Sequence, residues 1–389
     1  MTTTDISADL RPAEAPEDRA ETSAEEAFGA AVGACAEQVF TAVLGGIEAI
    51  SMYVGHELGL YRALATAGPL TAAELAAAAD IDARYAREWL EQQLVSGLLA
   101  STDAPGIGPT DPEARRFELP AAHVEVLVNG DSLAYAVPFT GFVVGAGQTM
   151  DAVLQAYRTG EGVSFGGYGD TIRHAQADAN RPQFVNLLGS AWLPAMPDIV
   201  ARLAADPPAL VADVGCGTGW SSISLAKAFP QARIHGIDLD EASIADARRN
   251  AEVEGVADRI TFEVRNAADA PPGAYDLVCM FESLHDTGRP IDVLAALRSM
   301  AGPDGTVFIV DEKVADEFTG PTEDPVERLM YAASAMHCLL VGRSEPHDHA
   351  VGTMLREPLF RRLAADAGYR SVEVLPIEND LFRFYRLDG

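Results

Sequence analysis

Positive charge is scarce in this sequence. Lys and Arg together number 28 among 389 residues, against 58 Asp and Glu, which leaves a formal net charge of −30 and a pI near 4.5. Lys227 and Lys313 are the only lysines, an arginine bias attributable to a GC-rich coding sequence. Phosphate backbones are held by clustered cations that release counterions, so neither nucleic acid nor an anionic membrane is an expected partner. Cysteine is sparse too. Cys35, Cys216, Cys279 and Cys338 stand far apart without a C-x-x-C pair, which argues against a disulfide framework or a zinc knuckle and leaves buried, reduced thiols as the expectation. Long apolar runs are missing as well: the nearest, Ala134 to Gly147, is broken by Pro138, Thr140, Gly141 and Gly145 and falls short of the ~18 residues of a bilayer span. Residues 1–27 carry acids, Ala, Thr and Pro without apolar periodicity; they do not read as a signal peptide and are expected to be a disordered acidic tail. The 48% hydrophobic content suffices for about two globular domains of a cytoplasmic protein.

The most informative stretch that is present is Leu210-Val-Ala-Asp-Val-Gly-Cys-Gly-Thr-Gly-Trp220. Apolar Leu210 to Val214 suit a parallel strand covered on both faces, the three glycines let a backbone approach a ligand, and Ser221 to Phe229 continue at helical spacing. Asp213 stands near the end of that strand, and Asp238 ends the next, Arg233-Ile-His-Gly-Ile-Asp238, where a carboxylate can accept from both hydroxyls of a ribose. A dinucleotide site of G-x-G-x-x-G type would need glycine where Trp220 stands. The spacing is instead Asp-x-Gly-x-Gly-x-Gly, which resembles motif I of the class I S-adenosylmethionine-dependent methyltransferases.

Strands are expected near 209–214, 233–238, 259–264, 275–281, 305–311, 371–377 and 381–387, with helices between the first six. The last two lie too close together for a helical crossover, so the final strand should return antiparallel. The predicted fold class is therefore α/β, a doubly wound seven-stranded sheet with a reversed last strand over residues 203–389, preceded by an all-α winged-helix domain at 28–120 and a helical segment at 121–202. The winged-helix expectation rests on a capping box at Thr71 and Glu74, a second helix from Asp82, and a ribbon built from Gly97-Leu-Leu-Ala and Phe117-Glu-Leu. Its second helix sets Arg84 and Arg87 against Asp82, Glu88 and Glu91, which leaves no basic face for DNA. In the small-molecule methyltransferases that this layout resembles, such a domain serves dimerisation and closes the substrate pocket, which implies a homodimer.

The resemblance carries site residues with it. Asp213, Gly215, Gly217 and Gly219 would hold the methionine portion of S-adenosylmethionine, Asp238 the ribose, and Leu239 one face of the adenine. Asn266 would reach the adenine amine, with Ala267 beside it and Phe281 at the end of the fourth strand. Asn266 replaces the acid usual at this place, and its oxygen can still accept. His285, just past the fourth strand, is a candidate base with Asp286 or Glu312 setting its orientation. His337 is a second candidate: a base partner, a substrate hydrogen bonder, or with His285 half of an iron-like site. Nothing in the sequence brings the two imidazoles together, and no metal is assigned. His347-Asp-His349 is read as a solvated loop. Phe165, Tyr168, Phe184 and Trp192 are the aromatic residues from which a substrate pocket would be built, Tyr168 and Trp192 being the chosen pair. The implied activity is methyl transfer from S-adenosylmethionine to O, C or N of a small, aromatic or polyketide-like molecule. Alternatives are an S-adenosylmethionine-responsive transcription regulator and an NAD-dependent oxidoreductase.

Overall fold

A computed structural model describes residues 16–102, 112–270, 272–273 and 275–388. By packing, the chain divides into residues 1–51 and a compact unit of residues 52–389. Helix α1, Pro16–Glu57, runs across that division, so the described part of the stretch expected to be a disordered tail, residues 16–27, is helical. Its portion Ala24–Glu57 is also long and apolar enough to cross a membrane, and its most apolar window is unburied. Its apolar character is not an unbroken run, because Glu37, Gln38 and Glu48 interrupt the Ala, Gly, Val and Ile residues. Cys35 lies exposed on this helix, unlike the other three cysteines, which are buried as expected.

The winged helix forms for the local reasons visible in its sequence. Helices α2 (Leu60–Ala67), α3 (Ala72–Ala79) and α4 (Ala83–Val95) enclose Leu64, Leu75, Trp89, Leu90 and Phe117. The Thr71 hydroxyl accepts from the Glu74 N–H while the Glu74 carboxylate accepts from the Thr71 N–H, and Asp82 accepts from the N–H groups of Arg84 and Tyr85. Strands β1 (Ala100–Ser101) and β2 (Phe117–Glu118) pair antiparallel as the wing. Helices α5 (Ala121–Leu127), α6 (Phe139–Gln148), α7 (Met150–Thr159) and α8 (Gly169–Gln183) follow, and α8 continues as a π-helical stretch, Phe184–Trp192.

A short helix, α9 (Pro197–Leu203), leads into the sheet. Its strands are β3 (Leu210–Val214), β4 (Arg233–Asp238), β5 (Ile260–Val264), β6 (Leu277–Phe281), β7 (Thr306–Glu312), β8 (Ser371–Val374) and β9 (Phe382–Asp388), in the order β5-β4-β3-β6-β7-β9-β8. The first five are parallel, and β9 runs antiparallel to both β7 and β8, as expected. Strands with both faces covered read as apolar runs, and the sheet does separate two cores. One holds Leu188, Trp192, Val211, Ile234, Phe308 and Phe384; the other holds Val214, Met280, Leu294, Ile309, Phe360 and Tyr385. Because the strand order reverses direction between β3 and β6, the crevice outside their carboxyl ends is where an open α/β sheet receives a ligand.

Candidate functional site

At those carboxyl ends lies a cavity of about 580 Å³. The turns after β3, β4, β5 and β6 form its floor through Gly215 to Thr218, Ile237 to Asp240, Arg265 to Ala268 and Met280 to Ser283. One wall comes from α8 and the turn before it, with Phe165, Arg173, Gln176, Asn180 and Phe184; Asp286 to Arg289 and Ser344 to Pro346 close the other.

The glycine turn is held from the neighbouring strand. The Gly215 N–H donates to the Ile237 carbonyl at 2.7 Å, and Gly217 donates to Asp238 Oδ2 at 2.8 Å, while Asp238 Oδ1 accepts from the Asp240 N–H at 2.9 Å. Gly215 has φ 72°, and a Cβ there would stand 2.3 Å from Ser283 Oγ; Gly217 has φ 51° with open space around it. Burial raises the pKa of Asp238, against the hydrogen bonds from Asp240, Gly217 and Leu239 that favour the carboxylate. Leu239, Asn266, Ala267 and Phe281 line the cavity. The Asn266 oxygen, however, already accepts from the Ala268 N–H at 2.9 Å, and its amide donates to Glu345 at 3.1 Å, so its side chain ties the floor to the outer wall.

Four of the residues expected to hold the cofactor or substrate do not line the cavity. Asp213 is fully buried beneath the turn, where one of its oxygens accepts from Ser221 at 2.6 Å and Ser222 at 2.5 Å; burial pushes it up to about 6 despite those bonds. Gly219 starts the helix α10 (Trp220–Ala228) and packs toward Ala247 and Phe262, where a Cβ would come within 2.9 and 3.0 Å. Trp192 is 1% exposed and edge-packed on Phe384 with ring centres 5.1 Å apart, so it is core. Tyr168 is likewise buried, its hydroxyl donating to the Met336 carbonyl at 2.8 Å. Phe165 and Phe184, the other two aromatic candidates, do line the cavity.

His285 is not an open base. It is 2% exposed behind the cavity wall, with Nδ1 2.9 Å from Asp311 Oδ1 and 2.6 Å from Glu312 Oε2, and Nε2 3.3 Å from Asp286 Oδ1. Burial opposes its charge, but Glu312, Asp311 and Asp286 outweigh that and hold the imidazole protonated well above its ordinary range. Burial raises Glu312 to about 7 even with His285 beside it, and burial also raises Glu282 well above its ordinary range, with the Glu312 charge adding. Asp286 does reach the cavity. His337 is buried between Phe165 and Tyr168, with Nδ1 3.5 Å from Cys338 Sγ; burial lowers its pKa and keeps it neutral. His347 and His349 stay on a loop, directed to the Glu345 carbonyl and to Asp348. Among the described residues, metal-ligating side chains converge as His285, Asp311 and Glu312 and as His285, Asp286 and Cys338; neither group includes His337.

Asp311, Glu282 and Arg173 were not singled out from sequence. Arg173 on α8 is 9% exposed and bridges Asp170 at 2.6 Å and Asp240 at 3.0 Å, closing the cavity over the turn after β4. Glu282 adopts φ 50°, unusual outside glycine, and this buried residue contributes to the cavity lining.

Residues 212–307 match a family model described as a methyltransferase domain, and residues 46–129 one described as an Rv2258c-like winged HTH domain. The chain carries a methyltransferase domain behind a winged helix. Among curated relatives, it is 29% identical over 183 residues to the ubiquinone biosynthesis O-methyltransferase of Thiobacillus denitrificans, covering 46% of this chain and 72% of that one. It is 31% identical over 109 residues to the malonyl-[acyl-carrier protein] O-methyltransferase of Halalkalibacterium halodurans, covering 28% and 40%. An uncharacterized Synechococcus protein is 38% identical over 101 residues, 25% of this chain and 24% of its own; these last two are thus matched over well under half their length. Whole-chain likeness comes from solved structures: the mitomycin 7-O-methyltransferase MmcR (TM-score 0.63, 20% identity, 92% of this chain and 99% of that one) and human N-acetylserotonin methyltransferase with SAM (0.63, 17%, 89% and 94%). At that identity the likeness establishes the fold, which around this methyltransferase domain is the class I arrangement.

Proposed function

We propose that this protein transfers a methyl group from S-adenosylmethionine to an oxygen, nitrogen or carbon of a small molecule, with an aromatic or polyketide-like compound as the favoured class. The observation that carries this reading is the single cavity spanning the glycine turn, the Asp238 carboxylate and the aromatic wall of Phe165 and Phe184. Its volume of about 580 Å³ falls in the range of small-molecule sites. The residues present fit the cofactor: Asp238 is a carboxylate with lone pairs left for ribose hydroxyls, Gly217 offers an unobstructed backbone, and Leu239, Ala267 and Phe281 offer apolar surface. When bound, S-adenosylmethionine supplies an electrophilic methyl on a sulfonium.

The protein's part is alignment, exclusion of water and removal of a proton where the acceptor carries one. Arg173 and the Asn266–Glu345 hydrogen bond close the cavity from two sides. Asp286 is the cavity-lining group assigned to take the acceptor proton, and His285, clamped by Asp311 and Glu312, is a positioning residue that holds it. His337 braces Phe165.

Residues 28–120 are assigned to homodimerisation and 121–202 to the substrate wall of a cytoplasmic enzyme. The regulator reading is disfavoured because Arg84 and Arg87 are spent on Glu88, Glu91 and Glu113. Trp220 at the start of α10 and the reversed β9 disfavour the oxidoreductase. The test is parallel calorimetric titration with S-adenosylmethionine, S-adenosylhomocysteine and NAD. Saturable binding of the two sulfur compounds without NAD is expected; binding of NAD alone, or of none, overturns the reading.

A further inference from the structure

We propose that His285, Asp311 and Glu312 hold a divalent first-row transition-metal ion of the zinc, iron or manganese kind behind the cavity wall. Strands β6 and β7 run parallel with Phe281 opposite Val310, so the turn after β6 carries His285 over the last two residues of β7. There Asp311 and Glu312 both approach one ring nitrogen, at 2.9 and 2.6 Å. A ring nitrogen has one proton to give. Glu312 Oε2 makes no hydrogen bond despite its proximity, and Asp311 Oδ2 has no partner either. The three side chains are 2%, 1% and 10% exposed, so water does not serve these oxygens from outside.

Charge makes the same point. Asp286 adjoins the imidazole, and Glu282, also buried with an unpartnered oxygen, faces Glu312. Among the described residues no lysine or arginine is paired with any of these four carboxylates, and His285 is their one cation. Uncompensated buried carboxylates are costly, and a dication that takes the place of the His285 Nδ1 proton lowers the net negative charge of the cluster by one.

The spacing suits an ion. Ligand atoms ~2.1 Å from a shared metal stand about 3 Å apart when adjacent in an octahedron, close to the separations seen. One imidazole nitrogen with two carboxylate oxygens matches borderline divalent ions better than calcium or magnesium. A ligating histidine characteristically presents its other ring nitrogen to a carboxylate, and here Nε2 stands 3.3 Å from Asp286, whose Oδ1 has no other partner. The alternative trio with Cys338 would consume that contact and require a thiolate in a site whose burial keeps the thiol protonated. None of the three ligands lines the cavity, so the ion is assigned a positioning role: it locks the ends of β6 and β7 and fixes Asp286.

The experiment uses the full chain without an affinity tag. Metal content is measured as purified; chelator-treated protein is then titrated with zinc, manganese and cobalt while cobalt absorption and thermal unfolding are followed. Expected are about one equivalent of metal, a rise in unfolding temperature on adding it, and at least a ~10-fold weaker affinity in Glu312→Gln and Asp311→Asn. His349→Ala, which removes the exposed loop histidine, should leave binding intact. Circular dichroism and a cooperative thermal unfolding transition in each variant establish that it is folded. Less than about 0.1 equivalent with no thermal response overturns the proposal, as does equal affinity in folded Glu312→Gln or loss of metal in His349→Ala. The metal proposal does not depend on the methyltransferase reading: metal without cofactor binding defeats only the latter, and cofactor without metal only the former.

Discussion

Replacing Asp238 by asparagine probes the centre of the proposed cofactor site with the smallest change in shape. Both carboxylate oxygens accept backbone hydrogen bonds, Oδ2 from Gly217 at 2.8 Å and Oδ1 from Asp240 at 2.9 Å. An amide has one oxygen. Whichever way the substituted side chain is turned, one backbone N–H faces its NH₂, leaving a donor unsatisfied at a cost of about 1–3 kcal/mol. In a domain of this size that lowers the unfolding temperature by roughly 2–4 °C per kcal/mol. Cofactor binding suffers separately, because hydrogen bonds from ribose hydroxyls to a charged acceptor contribute ~1.5–3 kcal/mol, equivalent to a 10- to 150-fold rise in Kd. Asp238→Ala should lose a similar amount, about 2 kcal/mol, of cofactor affinity. Calorimetric titration with S-adenosylmethionine and S-adenosylhomocysteine, alongside thermal unfolding without ligand, separates the two effects. A lowered unfolding temperature with unchanged affinity would leave Asp238 as a clasp for the glycine turn and remove it from the cofactor site.

Gly215→Ala should cost more stability than Gly217→Ala, by about 1–3 kcal/mol, because both take positive φ but only the first drives a Cβ into Ser283; equal losses in chemical denaturation would mean that Ser283 yields freely. Trp192→Ala should destabilise by ~3–5 kcal/mol and leave cofactor affinity within about threefold, whereas Phe165→Ala should chiefly raise the acceptor KM once a substrate is known; the opposite pattern would return Trp192 to the pocket. For Asp213, the folded pKa of about 6 lies above its ordinary value of 3.8, so the folded state holds the proton longer. Its contribution is complete below pH 4 and is lost as pH rises through 6, a change of ~3 kcal/mol. In Asp213→Asn the amide oxygen can take the place that accepts from both serines and the NH₂ the place without a partner. The variant's stability relative to the parent should therefore improve by a similar amount between pH 4 and 7. A pH-independent difference in urea denaturation would show that Asp213 is ionised throughout.

The pattern of residues along the chain placed the strands of the large sheet to within a few residues, although it missed the helix over residues 16–27. The strand expected at 233–238 is Arg233–Asp238, that at 305–311 is Thr306–Glu312, and the reversal of β9 followed from a link too short for a helix. Buried parallel strands, helix caps and glycine turns are local devices, each written in adjacent residues. The cavity floor at Gly215, Gly217, Asp238, Leu239 and Phe281 was legible for the same reason, since strand ends in an open α/β sheet share one rim. Which way a side chain faces was a different matter. Trp192 and Phe184 are equally apolar, yet one is sealed against Phe384 and the other lines the cavity; Asp213 and Asp238 both lie near strand ends, yet one is buried under two serines. The setting of His285 depended still more on tertiary structure. Its carboxylate partners Asp311 and Glu312 stand 26 and 27 positions along the chain, and only the pairing of β6 with β7 brings them to one ring nitrogen. Local periodicity specifies elements because backbone hydrogen bonding is local, whereas a buried cluster of charge is specified by which strands become neighbours.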